Sequence, residues 1–227
     1  MIFRIFIGFD ERETVAYHVA AHSILRRACC PVSITPLRRE CLPMLTRKRG
    51  EHDSTDFAIS RFLVPHLCDY EGVALFMDCD VLVLHDVSEL LTTAMCNKIL
   101  GDYAVQVVQH DYTPKGQTKF LGQKQTKYAR KNWSSVMLFN NEMCRDLTAG
   151  YVNEAPGLDL HQFAWTDKVG ALPPEWNVLI GEPENMEQIN DSKLLHYTQG
   201  TPCFAEYSKG PEADLWYTEY RDMLRAG

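Results

Sequence analysis

The sequence predicts a single α/β domain, on three observations. The chain opens as an apolar strand, a tight turn and a helix of amphipathic period, an opening common to many α/β proteins. Residues 73–84 hold two short apolar runs rich in Val, Leu and Phe, separated only by Asp78-Cys79-Asp80. These runs are too short for a helix of normal length and read as buried strands. The 227 residues, 45% hydrophobic and 23% charged, suit one domain with a sizeable core. No linker, internal repeat or low-complexity block divides 1–227, so one domain is the simplest division.

In chain order, residues 2–7 form the first strand. A helix over 11–28 follows, its apolar positions Val15, Val19, Ala20, Ile24 and Leu25 at helical spacing. Asp10 is its expected N-cap, with Glu13 three residues on as capping-box partner. Gly8 lets a ligand approach the backbone of the same turn, and a helix N-terminus attracts anions. Pro31 ends the helix and Val32–Leu37 is the second strand. Residues 38–56 are a long connection carrying Arg38, Arg39, Arg47, Lys48 and Arg49. It reads either as a solvated loop or as one that folds over a phosphorylated substrate. A helix over 57–67 brings Arg61 toward the sheet, as a ligand-holding residue or a structural ion-pair partner.

After the paired runs, Asp86 caps a short helix through about residue 95, and 103–108 is a strand. The stretch 110–133 interleaves Lys115, Lys119, Lys124, Lys127, Arg130 and Lys131 with Tyr112, Phe120 and Tyr128. It reads as a solvated excursion or as the lining of a cleft. Residues 133–140 are a strand, 157–165 a helix and 173–177 an ordered turn. Leu194-Leu195-His196 leads into a Gly-Pro loop, and 211–227 is a helix that closes the core.

Two carboxylates inside an apolar stretch dictate chemistry. Desolvating a bare carboxylate costs several kcal/mol in practice, so Asp78 and Asp80 need a cation or strong donors. Oxygen ligands suit Mg²⁺ or Mn²⁺, which keep positions open for phosphate oxygens. The bland reading is a pair of turn caps.

Composition excludes other classes. The net charge of −7 argues against broad nucleic-acid binding, which needs a field favouring phosphates. Eight cysteines show no Cys-x-x-Cys pair and no zinc-like spacing with His, which fits a reducing, cytoplasmic setting, with peripheral membrane association also allowed. No stretch approaches the ~20 apolar residues that span a bilayer, and the first residues lack the pattern of a signal peptide.

Ser60-Arg61-Phe62-Leu63-Val64-Pro65, the strand ending in Asp78-Cys79-Asp80 and the late His196 before Gly200 and Pro202 together resemble glycosyltransferase family 8. The resemblance runs from about residue 3 to 202. It implies a GT-A fold, a mixed and mainly parallel sheet flanked by helices, and a UDP-linked nucleotide-sugar donor used with Mn²⁺, or Mg²⁺, and retention of anomeric configuration. By that resemblance Asp78, Asp80 and His196 hold the metal, with Asp78 shared with the donor. Gly8, Asp10, Arg12 and Arg61 belong to the nucleotide site, and Gln162 lies near the anomeric carbon. Trp133, Ser134 and His161 face the donor sugar or the acceptor, which is a saccharide, glycolipid or glycoprotein. Gly200 and Pro202 form a lid over the phosphates.

The chain also departs from the family pattern. Trp133 stands where the pattern has Asn, and Ser135 where it has Gly. His161 and Phe163 replace two acids around Gln162. The Lys expected before Pro202 is absent, leaving Lys193, Lys209 or a lysine of the basic excursion to replace it. Those departures keep a second reading open, a carbohydrate- or nucleotide-binding module without catalysis. A phosphatase of the haloacid dehalogenase type also places Asp-x-Asp after an apolar strand, but it wants a loop after the motif and a late acidic pair.

Overall fold

A computed structural model describes residues 2–50, 53–96, 102–111, 118–119, 123–124, 129–181 and 189–225. In chain order the elements are β1 (Phe3–Gly8), α1 (Thr14–Arg27), β2 (Val32–Leu37), α2 (Val64–Leu67), β3 (Val73–Met77) and β4 (Val81–Val83). Then come α3 (Ser88–Cys96), β5 (Val105–Val107), β6 (Thr118–Lys119), β7 (Gln123–Lys124), β8 (Val136–Asn140) and α4 (Ala149–Glu154). The chain continues with α5 (Gly157–His161), β9 (Val169–Ala171), β10 (Val178–Leu179), β11 (Leu194–His196) and α6 (Ala213–Arg225).

The main sheet has the order β2-β1-β3-β8-β5-β9. β1 pairs in parallel with both β2 and β3, and β5 in parallel with β9, while β8 runs antiparallel to β3 and β5. The strand sequences follow from position. β1, β3, β5 and β8 lie inside the sheet and are buried almost throughout, so they read as continuous apolar runs. β2 is an edge strand, alternates toward solvent and tolerates Pro36. A smaller sheet, β10-β11-β4, grows from the strand that follows Asp80.

α1 joins the two parts. Ala20 and Ile24 pack into the main core, while Val19 meets Leu82, Leu195 and Trp216 in a second cluster. The Ser23 hydroxyl accepts from the Val83 N–H at 3.1 Å and ties α1 to β4. α6 closes that cluster with Trp216, which is 1% exposed and stacks on Tyr220. Buried Glu219 of α6 takes His22 and Arg27 of α1 at 2.6 and 2.8 Å. The expected C-terminal helix therefore docks by an apolar face and a buried acid.

Most expected elements are present, with differences that have local causes. The helix expected over 57–67 is broken into turns, a 3₁₀ segment (Ser60–Leu63) and α2, with Pro65 in the first turn of α2. The described parts of the 38–56 connection, 38–50 and 53–56, are anchored. Arg47 donates to the carbonyls of Val152 and Ala155, and Arg49 holds Asp53, Ser54 and Asp56. Of the basic excursion, Lys115, Lys127, Tyr112, Phe120 and Tyr128 lie outside the described residues, and Lys119 and Lys124 are described only as backbone of β6 and β7. Seven cysteines, Cys29, Cys30, Cys41, Cys68, Cys79, Cys144 and Cys203, carry no disulfide. No helix among the described residues is long and apolar enough to cross a membrane.

Candidate functional site

The C-terminal ends of β1, β3 and β5 open on one edge of the sheet, where ligands of open α/β sheets gather. Register then decides which side chains meet. Ile7 lies beside Met77, so the turn after Gly8 faces the turn holding Asp78. Met77 lies opposite Val136, and the Asp78 N–H donates to the Ser135 carbonyl at 2.9 Å. On the other side β11 pairs antiparallel with β4, placing His196 opposite Val81. The Tyr197 N–H donates to the Asp80 carbonyl at 2.9 Å, which fixes the imidazole against the carboxylate.

Asp78, Asp80 and His196 thereby bring their ligand atoms within 4.8 Å of one another. His196 is buried, and its Nε2 lies 3.2 Å from Asp80 Oδ1. Two ligand atoms about 2.1 Å from one cation, on adjacent octahedral positions, lie about 3.0 Å apart. The separation fits a shared divalent cation. Burial pulls the imidazole down, yet Asp80 beside it and Asp78 outweigh burial, and its net shift is upward.

The charge balance points the same way. Arg61 is buried and puts Nη1 2.8 Å from Asp78 Oδ1 and 2.8 Å from the Ser134 carbonyl. Its guanidinium lies over the rings of Phe76 and Phe57. Asp10 is likewise matched by Arg12. Glu13 pairs with no cation among the described residues. Its carboxyl, 3% exposed, is pushed up to about 9, by burial first and then by Asp80, Asp10 and Asp78. The crowding of Asp10, Asp78 and Asp80 that keeps this carboxyl protonated is what a divalent cation would relieve.

The nucleotide-side residues take more structural roles than the sequence indicates. The Asp10 carboxylate caps the turn as expected, accepting from the Arg12 N–H at 3.0 Å. It also accepts from Arg12 Nε and Nη2 at 2.8 and 2.5 Å and from the Asp56 N–H at 3.2 Å. Those bonds fill it and hold it below the usual carboxylate range against the opposing effect of burial. Glu13 is not the expected capping-box partner; it turns toward the carboxylates of the site. A Cβ on Gly8 would overlap the Phe57 ring, so close packing by itself requires glycine there.

On the far side, Ser134 Oγ and His161 Nδ1 are 2.7 Å apart, which ties α5 to the start of β8. The neighbouring Gln162 accepts through its carbonyl from Arg130 at 2.7 Å. The Trp133 ring lies under Arg130 and donates to the His110 carbonyl at 2.9 Å. His110, three residues beyond β5, holds a buried Nε2 without a hydrogen-bond partner. Its imidazole is pushed down to about 4 by burial and by His196.

The loop after His196 is held by local packing. Gly200 adopts φ +143°, and the Tyr207 ring fills the place of a Cβ. Thr201 and Pro202 are buried, and the Pro202 carbonyl accepts from the Tyr217 hydroxyl at 2.6 Å. This segment, expected to form a lid, is packed into the fold. Lys193 is engaged by Glu89 at 2.6 Å and lies over Trp176, so it does not stand in for the absent lysine. Lys209 is exposed. Glu13 and His110 were missed by sequence reasoning. An acid in a first helical turn and a His just past a strand have ordinary readings, and only the register brings them to the site.

No family model matches the chain. Protein CDI of Arabidopsis thaliana is 44% identical over 229 residues, covering 97% of this chain and 86% of that protein. Among solved structures, the galactosyltransferase LgtC is similar with a TM-score of 0.63 and 13% identity, over 97% of this chain and 96% of LgtC. The bifunctional glycosyltransferase WbbM gives 0.62 and 16% over 96% of this chain. The glycosyltransferase GlyE of Streptococcus pneumoniae TIGR4 gives 0.60 and 15% over 99% of this chain. The chain spans 51% of WbbM and 62% of GlyE. At these identities the likeness is one of fold, the mixed α/β architecture of GT-A glycosyltransferases.

Proposed function

The chain belongs to the family of Arabidopsis thaliana Protein CDI and has the GT-A fold, and from that premise we propose that it is a metal-dependent glycosyltransferase. The observation that carries this reading is the Asp78, Asp80 and His196 cluster at the carboxyl edge of the sheet. Asp78, Asp80 and His196 would hold a divalent cation, Mn²⁺ by preference or Mg²⁺. Such an ion offsets the negative charge that develops on a nucleoside diphosphate as the glycosidic bond breaks.

The protein's own groups prepare that site. Arg61 fixes one oxygen of Asp78, and Tyr197 pins the backbone of Asp80. The 8–12 turn, with Arg12 at its rim, takes the nucleotide, a UDP-linked sugar by family resemblance to glycosyltransferase family 8. Trp133, Ser134 and His161 face the donor sugar or the acceptor, which is a saccharide, glycolipid or glycoprotein. Retention follows from the same resemblance, with Gln162 near the anomeric carbon, since an amide cannot serve as a general base. Residues 1–227 act as one domain.

A second reading is a module that binds a nucleotide sugar without turnover. The missing lysine, with Lys193 held by Glu89, favours it. Incubation of the purified chain with a panel of nucleotide sugars, with Mn²⁺ or with chelator, separates the readings. Mn²⁺-dependent release of nucleoside diphosphate supports the transferase, and binding without release supports the module. Phosphate release from simple monoesters would instead indicate a phosphatase.

A further inference from the structure

We propose that Asn177 is the positioning residue that fixes the tautomer of His196 and presents its Nε2 lone pair to the metal, an inference that rests on the metal site proposed above. The chain of bonds has one forced direction. It begins at Asn132, in the left-handed region with φ 63°, whose carbonyl can only accept. The Ser135 hydroxyl donates its single proton to that carbonyl at 2.7 Å. Ser135 Oγ must then accept from its other neighbour, Asn177 Nδ2, at 2.9 Å. The amide nitrogen of Asn177 therefore faces Ser135, and its oxygen faces His196 Nδ1 at 3.0 Å.

An amide oxygen cannot donate, so Nδ1 carries the proton. A neutral imidazole in that tautomer has its lone pair on Nε2, the atom 3.2 Å from Asp80 Oδ1. The opposite arrangement, with the amide turned over, would leave the Ser135 and Asn132 oxygens facing each other at 2.7 Å without a proton between them. Amide orientation and histidine tautomer are ordinarily ambiguous. Here a carbonyl three links away settles both.

The relay is dry and rigidly placed. Ser135, Asn177 and His196 are 3%, 0% and 3% exposed, so water does not compete for their bonds. Asn177 follows the 3₁₀ turn Pro174–Trp176 and leads into β10, which pairs with β11 so that Leu179 lies beside His196. A hydrogen bond to the far nitrogen of a ligating histidine orients the ring and raises its basicity. Ser135 stands where the family pattern has glycine, which has no hydroxyl. The departure has a purpose in this chain.

The test is Mn²⁺ titration of the full chain, with free Mn²⁺ followed by electron paramagnetic resonance. Asn177→Leu should weaken Mn²⁺ about ten- to a hundredfold, whereas Asn177→Asp, which still accepts from Nδ1 but sets an oxygen against Ser135 Oγ, should lose less than Asn177→Leu. Unchanged affinity in Asn177→Leu overturns the relay alone. Failure of the wild type itself to bind Mn²⁺ overturns the metal site and the relay with it. Should Asn177→Leu not fold, two readouts decide. Ser135→Ala should weaken Mn²⁺ severalfold, and long-range ¹H–¹⁵N spectra of the wild type loaded with diamagnetic Mg²⁺ should show Nδ1–H. An Nε2–H tautomer, or wild-type affinity in Ser135→Ala, would overturn the proposal.

Discussion

Replacing Arg61 with Met keeps most of the aliphatic stem and removes the charge from beneath Asp78. The two side chains are only 6% and 15% exposed, so solvent screens the pair weakly. Removing one partner of such a pair costs about 3–5 kcal/mol, because the other charge stays buried and uncompensated. The Ser134 carbonyl also loses its donor, and the contacts over Phe57 and Phe76 go with it. In a domain of this size each kcal/mol moves the midpoint by about 2–4 °C, so the metal-free protein should lose about 6–20 °C. Adding Asp78→Asn removes the stranded charge, and the double variant should recover about 1–3 kcal/mol relative to additivity. Mn²⁺ should also raise the midpoint of Arg61→Met more than that of the wild type, since a cation replaces the lost guanidinium. Calorimetric melts of the four proteins, with and without Mn²⁺, supply the cycle. Strict additivity, with no extra gain from Mn²⁺, would refute the assignment of Arg61 as the counter-ion of Asp78.

Further perturbations test other parts of the site. Glu13 holds its proton up to about 9 in the fold, against an ordinary 4.5, so its contribution to stability is complete below about 4.5 and is lost as pH rises toward 9. Melts of metal-free protein from pH 5 to 9 should show wild type losing stability relative to Glu13→Gln, and parallel curves would contradict that environment. His196→Ala should weaken Mn²⁺ more than Mg²⁺, by about tenfold or more, because nitrogen ligation favours the transition metal. Equal losses in paired titrations would remove the imidazole from the site. Gly8→Ala forces a Cβ into the Phe57 ring and should cost about 1–3 kcal/mol in urea unfolding. A neutral result would mean that the ring is free to move aside.

The parts of the site that were legible in the sequence are those whose local pattern conflicts with their surroundings. Asp78 and Asp80 stand out because carboxylates interrupt buried strands, and Arg61 because a cation lies in an apolar segment. His196 stands out more weakly, at the end of Leu194-Leu195, and its meeting with Asp80 depends on the pairing of β11 with β4. Glu13 gave no such signal. An acid three residues after Asp10 fits a capping box, and its burial against Asp80 arises from how α1 lies across β4. Gly8 was read through a ligand alone, and the structure adds a second cause, a ring 49 positions along the chain. Asn177 was visible as part of a turn whose Trp-Asn pair resembles the family pattern, but its role was not, because its bonds to Ser135 and His196 span 42 and 19 positions. The fold class was easier to read, since the opening strand, turn and helix and the paired apolar runs are local features.

The release of nucleoside diphosphate from nucleotide sugars by wild type and Asp80→Asn, each with Mn²⁺ and with chelator, tests metal-dependent glycosyl transfer most directly. Asp80 is partly exposed and its structural bond is made by its backbone carbonyl to Tyr197, so the substitution removes a ligand charge and leaves the packing in place. Wild type should release the diphosphate only with metal, and Asp80→Asn should still fold and melt cooperatively while releasing none above background. Release that survives chelation, or that persists at wild-type rate in Asp80→Asn, would contradict the account.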